Sequence, residues 1–421
     1  MLSKHISGNL KNIFRSLKYR NFRLFFGGQS ISLIGTWIQR IAMPWLVYDL
    51  TNSVVLLGIV GFAGQIPTFL MAPFAGVLVD RKNRYKILIA TQVLAMIQAL
   101  ILAALVYTGH IQVWHLVALS VMLGLINAFD MPSRQSFMIE LVEKKDDLGN
   151  AIALNSTMVN SARLLGPSIA GVLISLAGEG TCFLINGLSY IVVISTLLFM
   201  KINLKPKIKK SSKVINELKE GFRYTFGFKP IRFVILLLAL VSLMGMPFSV
   251  LMPVYAKEIL HGESHTFGFL MGASGLGALS GALYLASRKN VAGLEKIIPF
   301  SAMVFGSGLI LLSLSKVFWL ASIVMIITGA GMMMVMASSN TIIQTIIDDN
   351  KRGRVMSIYA MAFMGTAPFG SLMAGSLAKV IGTPMTFGIG GLSCIIGATF
   401  YLRKIPELQK HIRPVYKKLG Y

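Results

Sequence analysis

Apolar runs of about 20 residues or more recur from residue 24 to residue 402 with only short polar breaks between them. A run of that length is what a helix needs to cross the hydrocarbon core of a bilayer, where every backbone polar group must be satisfied within the segment. The runs fall near 24–48, 54–79, 87–107, 113–132, 151–177, 182–200, 231–255, 266–286, 297–315, 318–342, 355–378 and 384–402. That makes twelve spans, an even number, so both termini are expected on one side. A soluble chain with an oversized core is excluded by composition: 55% of residues are hydrophobic and only 13% charged, about half the usual charged fraction. The first span is too long for a signal-peptide core and lacks a small-residue cleavage site, so it is expected to be retained. The fold class is an all-α membrane protein.

The net charge of +24 raises nucleic acid as a partner, and the placement of the charges removes it. With the N-terminus taken as cytoplasmic, the inside segments hold 35 of the 40 Lys and Arg residues. The outside loops hold Lys257, Lys316 and Lys379, and Arg40 and Arg163 lie within spans. This asymmetry is the positive-inside pattern, which predicts a multi-pass plasma (inner) membrane protein with both termini cytoplasmic. Membrane lipids, not nucleic acid, are the partners of the basic segments. Cys182 and Cys394 are the only cysteines, and there is no GxxxxGK[ST] phosphate loop and no HExxH. No metal, cofactor or catalytic set is expected, nor nucleotide-driven transport by this chain alone.

The longest polar break, residues 200–230, begins as a basic linker; Val214, Leu218 and Phe222 then recur at four-residue steps, as in a helix lying on the membrane surface. The predicted organisation is a six-helix bundle over 1–200, this linker with its surface helix over 201–229, a second six-helix bundle over 230–403, and a basic cytoplasmic tail over 404–421. The halves repeat. Gly166, Gly171, Gly178 and Gly187 match Gly370, Gly375, Gly382 and Gly391 at an offset of 204, as do Leu173, Phe183, Leu188 and Ser189 with Leu377, Phe387, Leu392 and Ser393. Near an offset of 205, Gly76 pairs with Gly281 and Gly124 with Gly329. Two pseudo-symmetric six-helix bundles form a transporter architecture, with a substrate site expected between the halves near mid-membrane.

The stretches NFRLFFGGQSISLIGTWIQRIAMPWLVYDLTNS, PSRQSFMIELVEKKDDLGNAIALNSTMVNSARLLGPSIAGVLI and ELKEGFRYTF resemble the drug-exporter branch of the major facilitator superfamily, which includes macrolide-efflux and enterobactin-exporter proteins. The resemblance covers residues 15–405. It implies the major facilitator fold and a small-molecule substrate.

GVLVDRKNRYK, residues 76–86, resembles that superfamily's signature between spans two and three, GxLxDRxGRR. Asn83 stands where glycine is usual, at a position expected to need a left-handed backbone. The resemblance implies that Asp80 faces the N-terminus of span eleven, where free N–H groups favour an anion. It also pairs Arg84 with an acid at the end of span four, a role that Asp130 fits. Gly76, Asp80, Arg81, Arg84, Asp130 and Arg134 would then latch the cytoplasmic face while the protein is open to the outside. The bland reading, that the charges only serve topology, accounts for Arg81, Lys82, Arg84 and Lys86 but not for Asp80. The second-half turn, LASRKN, has Leu285 in the position of Asp80.

ARLLGPSIAGVL in span five resembles the exporter motif GxxxGPxxGG, with Gly166, Pro167 and Gly171 retained and Ala162 and Ala170 replacing two glycines. Small residues there are expected to pack closely against a span of the other half, though small-xxx-small patterns are common in any bundle. Arg40 and Arg163 are candidate cavity charges, either facing an anionic substrate or satisfied by carbonyls or by Gln39, Asn160 and Asn340. His261, Glu263 and His265 read as a solvated loop rather than a metal site. The expected function is export of a small hydrophobic or amphipathic compound by alternating access in a monomer, driven by a proton or other coupling ion, with Asp49 and Asp130 as proton-linked candidates. A siderophore or lipid exporter is the alternative within transport. A membrane-embedded enzyme would need a convergent nucleophile or metal set, and none is visible.

Overall fold

The computed structural model describes residues 14–202, 214–288, 290–347 and 351–418. Among these, every regular element is a helix. They run α1 (Arg20–Thr51), α2 (Val54–Arg81), α3 (Arg84–Tyr107) and α4 (Val113–Glu140). The stretch Lys145–Leu198 breaks at Gly178 into α5 (145–177) and α6 (179–198). A shorter α7 (Val214–Gly227) precedes α8 (Lys229–Ile259), α9 (Ser264–Ala286), α10 (Leu294–Leu314), α11 (Phe318–Ile346), α12 (Arg352–Ile381) and α13 (Thr383–Lys418).

Ten segments among the described residues are long and apolar enough to cross a membrane, one of them holding both α5 and α6. α1 is 32 residues long but is diluted by Gln29, Gln39 and Arg40. With α1 added and α5 separated from α6, the helices are consistent with twelve spans. The break at Gly178 has φ 74° and ψ 171°, and Gly382, at the α12–α13 junction, has φ 82° and ψ 159°. Both values lie where a β-carbon is not tolerated. Two glycines separated by 204 residues thus make the same turn, and the sequence repeat is also a backbone repeat.

The chain divides into two compact units: Met1–Met43 with Leu70–Lys210, and Pro44–Phe69 with Ser211–Tyr421. In the first, Phe22, Phe25, Leu88, Phe137 and Val193 form a buried aromatic and aliphatic core. Asp147, in the first turn of α5, accepts the Tyr19 hydroxyl at 2.6 Å and pairs with Lys18 at 2.7 Å and Arg15 at 3.2 Å. That carboxylate, as hydrogen-bond acceptor and counter-charge, holds the Lys18 ammonium above its ordinary pKa.

In the second unit, glycines bring helices to backbone contact, as expected where lipid offers no competing hydrophobic force. A β-carbon on Gly277 of α9 would lie 1.8 Å from the Ile326 carbonyl oxygen of α11, and one on Gly329 would lie 2.0 Å from that of Ser274. α7 rests on the start of α12, with Glu220 bound to Arg354 at 2.5 Å and Lys351 lying 4.3 Å from the Tyr224 ring centroid. Of its predicted face, Phe222 stacks on Phe226 at 5.9 Å; the side chains of Val214 and Leu218 lie outside the described residues. The tail expected over 404–421 continues α13 as helix to Lys418. Leu408, Ile412 and Tyr416 are buried at four-residue spacing, and the Tyr416 hydroxyl donates to the Val291 carbonyl at 3.2 Å. This periodic apolar stripe, hidden among basic residues, is what turns a tail into a packed helix.

Candidate functional site

The charged turn begins where α2 ends. The side chains of Asp80 and Arg81, two of the six residues of the expected latch, lie outside the described residues. A β-carbon on Gly76 would meet nothing within 4 Å. Asn83 corrects the expectation of a left-handed backbone: its φ is −69° and ψ 106°, and its side-chain oxygen accepts from the backbone N–H of Tyr85 at 3.0 Å and of Lys86 at 3.3 Å. Asparagine stands there as the N-cap of α3, a role for which it is among the best residues.

Arg84 also departs from expectation. Its Nη1 donates to Glu140 Oε1 at 2.6 Å, and its Nε donates to the Val79 carbonyl at 3.4 Å. The acid that meets Arg84 at the end of α4 is therefore Glu140. Asp130 lies ten residues earlier, about 15 Å along the helix, too deep to serve the turn.

At that depth Asp130 gathers a buried polar nest. Its Oδ1 accepts Gln92 Nε2 at 2.6 Å and Thr91 Oγ1 at 3.0 Å, and its Oδ2 lies 3.3 Å from Arg134 Nη2. Arg134 Nη1 reaches Gln29 Oε1 at 3.4 Å. Asp130 is 5% exposed. Around it Gln29 Nε2, Gln92 Oε1 and Ser133 Oγ are buried without a hydrogen-bond partner. Unmet buried polar atoms are costly, so their grouping about one carboxylate is the most unusual polar feature of this unit. Thr91 and Gln92 escaped the sequence reading because polar residues in a mid-helix register look like ordinary interhelical contacts.

Trp37 of α1 gathers the two in-span arginines. The guanidinium carbon of Arg40 lies 4.9 Å from its ring centroid and that of Arg163 lies 5.4 Å from it. The arginines lie on α1 and α5, and Gly166 explains how those helices come so close: a β-carbon there would lie 2.4 Å from Trp37 Cβ. Gly166 of the exporter-like motif thus packs against span one within its own unit. Ala162, Pro167, Ala170 and Gly171 are buried with it. The amides offered as partners bond elsewhere: Gln39 to Gln98 at 3.0 Å and Asn186 at 2.7 Å, Asn160 to the Ser156 carbonyl at 2.9 Å, and Asn340 to Gln344 at 2.7 Å. Trp37 went unnoticed in the sequence, where its place one turn before Arg40 was the available signal.

Asp49 belongs to the second unit, at the end of α1 remote from the basic turns. Lys257 Nζ donates to Asp49 Oδ1 at 2.8 Å, and the buried Tyr48 hydroxyl donates to Glu258. Lys257 and Glu258 lie in a π-helical turn, Tyr255–Ile259, a local widening that recurs at functional positions. Below them Gly58 of α2 meets α12, with a would-be β-carbon 2.6 Å from the Ser371 carbonyl, and Gln65 donates to Ser371 Oγ at 3.3 Å. The exposed ion pair contributes about 1 kcal/mol or less. Asp49→Lys is expected to slow transport about fivefold, and the swapped pair Asp49→Lys with Lys257→Asp to recover at least half of it in initial-rate measurements. A double variant no better than the single one would show that the pair does not act in transport.

Long apolar helices, a two-fold backbone repeat and buried polar groups at mid-helix depth define a membrane transporter. A model of the transmembrane secretion effector family matches residues 12–416. The chain belongs to that family, within the major facilitator superfamily, and is a multi-pass small-molecule transporter rather than an enzyme. It is 28% identical over 385 residues to the staphyloferrin A transporter of Staphylococcus aureus, covering 90% of this chain and 95% of the relative. It is 22% identical over 404 residues to macrolide efflux protein A of Streptococcus pyogenes, covering 93% and 98%. The fold matches the crystal structure of the nucleoside transporter NupG with a TM-score of 0.74 at 13% identity, over 92% of this chain and 99% of that one.

Proposed function

We propose that this protein is a proton-coupled exporter of a small amphipathic compound, working as a monomer in the plasma membrane with its basic helix ends in the cytoplasm. The observation that carries the coupling is Asp130: a buried carboxylate, bound by Gln92, Thr91 and Arg134 and surrounded by polar atoms with no partner. A carboxylate inside a membrane protein is expensive and marks ion or proton pathways. Export is supported by the Gly166–Pro167 motif and by efflux relatives. Lys257–Asp49 and Tyr48–Glu258 would close the outer side, and the turn with Gly76, Asp80, Arg81 and Arg84 would close the inner side in the opposite state.

The test is a compound screen in proteoliposomes carrying an imposed pH gradient. Accumulation of at least one macrolide or organic acid that collapses when the gradient is dissipated is expected. In the same preparation Asp80→Asn should slow transport if the inner latch holds. Uptake indifferent to the gradient for every transported compound would overturn proton coupling.

A further inference from the structure

We infer that Arg40, Trp37 and Arg163 form a binding site for an organic anion: a carboxylate, or a similar acidic group, attached to an aromatic or otherwise flat body. The inference names the substrate class and to that extent rests on the export reading above. Both guanidinium carbons lie near one indole, at 4.9 and 5.4 Å from its centroid, so they are at most about 10 Å apart. Arginine does not lose its proton in proteins, so two like charges stay confined in one membrane layer. Within two turns of either arginine, its own helix carries no acid. The buried Asp130 carboxylate of the same unit is engaged by Arg134, Thr91 and Gln92.

Arg40 is exposed and Arg163 half-buried, although Arg40 lies only four residues from the middle of its span. An accessible guanidinium at that depth faces water or a solute rather than hydrocarbon. The planar fork suits a carboxylate, held by two parallel N–H donors. Trp37 orients both forks through cation–π contact and offers an aromatic edge to the body of the ligand. A cationic amphiphile would meet repulsion here, so the site also discriminates between charge classes.

The experiment measures equilibrium binding to the full-length protein in lipid nanodiscs without any gradient, using 1-naphthylacetate and its neutral amide as probes. The wild type is expected to bind the carboxylate about tenfold more tightly than the amide. Arg40→Gln and Arg163→Gln should each weaken the carboxylate about tenfold and leave the amide unchanged, and Arg40→Lys should recover part of the loss. Equal affinities of the wild type for the two probes, no binding of the carboxylate, or equal loss of both probes in the variants would overturn the anion site. Because no gradient is present, failure here leaves the export reading standing, and failure of gradient-driven uptake leaves this site standing.

Discussion

Asp130→Asn is expected to reduce gradient-driven transport by at least about 100-fold, equivalent to ~2.7 kcal/mol in the coupled step. Substrate counterflow, which needs no proton movement, should survive. The replacement is nearly isosteric, and its carbonyl can still accept from Gln92 or Thr91. What it removes is the carboxylate proposed to couple transport, and with it the counter-charge of Arg134. Breaking a buried pair by deleting one partner costs about 3–5 kcal/mol, and Arg134 retains some exposure, so a loss of roughly 2 kcal/mol in stability is expected as well. The double variant Asp130→Asn with Arg134→Gln separates the two effects. It should regain most of the thermal stability and none of the gradient-driven transport. If it regained both, Asp130 would be a structural counter-ion only.

Gly166→Ala should be nearly as damaging, for a purely steric reason. Its β-carbon would lie 2.4 Å from Trp37 Cβ, and that atom is fixed to the α1 backbone, so no rotamer relieves the overlap. α1 and α5 must separate by about an ångström, and overpacking of this kind costs roughly 1–3 kcal/mol. Because Trp37 positions both Arg40 and Arg163, the movement should also weaken anion binding several-fold. Gly166→Val should abolish folded expression. Gly171→Ala serves as a comparison within the same motif. A Gly166→Ala protein with unchanged melting temperature and transport would contradict the close α1–α5 contact.

Much of this architecture was legible because lipid imposes one rule on every span: a helix of about 20 apolar residues. The repeat was legible because Gly178 and Gly382 are required by a backbone conformation, so chemistry and position coincide. The site was harder to read. The sequence singled out Arg84, Asp130, Arg40 and Arg163 but gave no distance between them across helices. Asp130 was therefore paired with Arg84 on family resemblance, whereas Glu140 reaches the turn and Asp130 lies deeper. Asn83 was misread because asparagine suits both a left-handed turn and a helix N-cap, and only φ separates the two. The α13 extension was missed because Leu408, Ile412 and Tyr416 are thinly spread among lysines and arginines.

Under the proposed mechanism substrate and protons cross in opposite directions through one protein. It is tested most directly by following pH inside proteoliposomes when a transported compound is added to one side with no gradient imposed. The account predicts proton movement opposite to the substrate, in fixed proportion to it, in the wild type and none in Asp130→Asn. Substrate movement without any pH change in the wild type, or with the same pH change in Asp130→Asn, would contradict it.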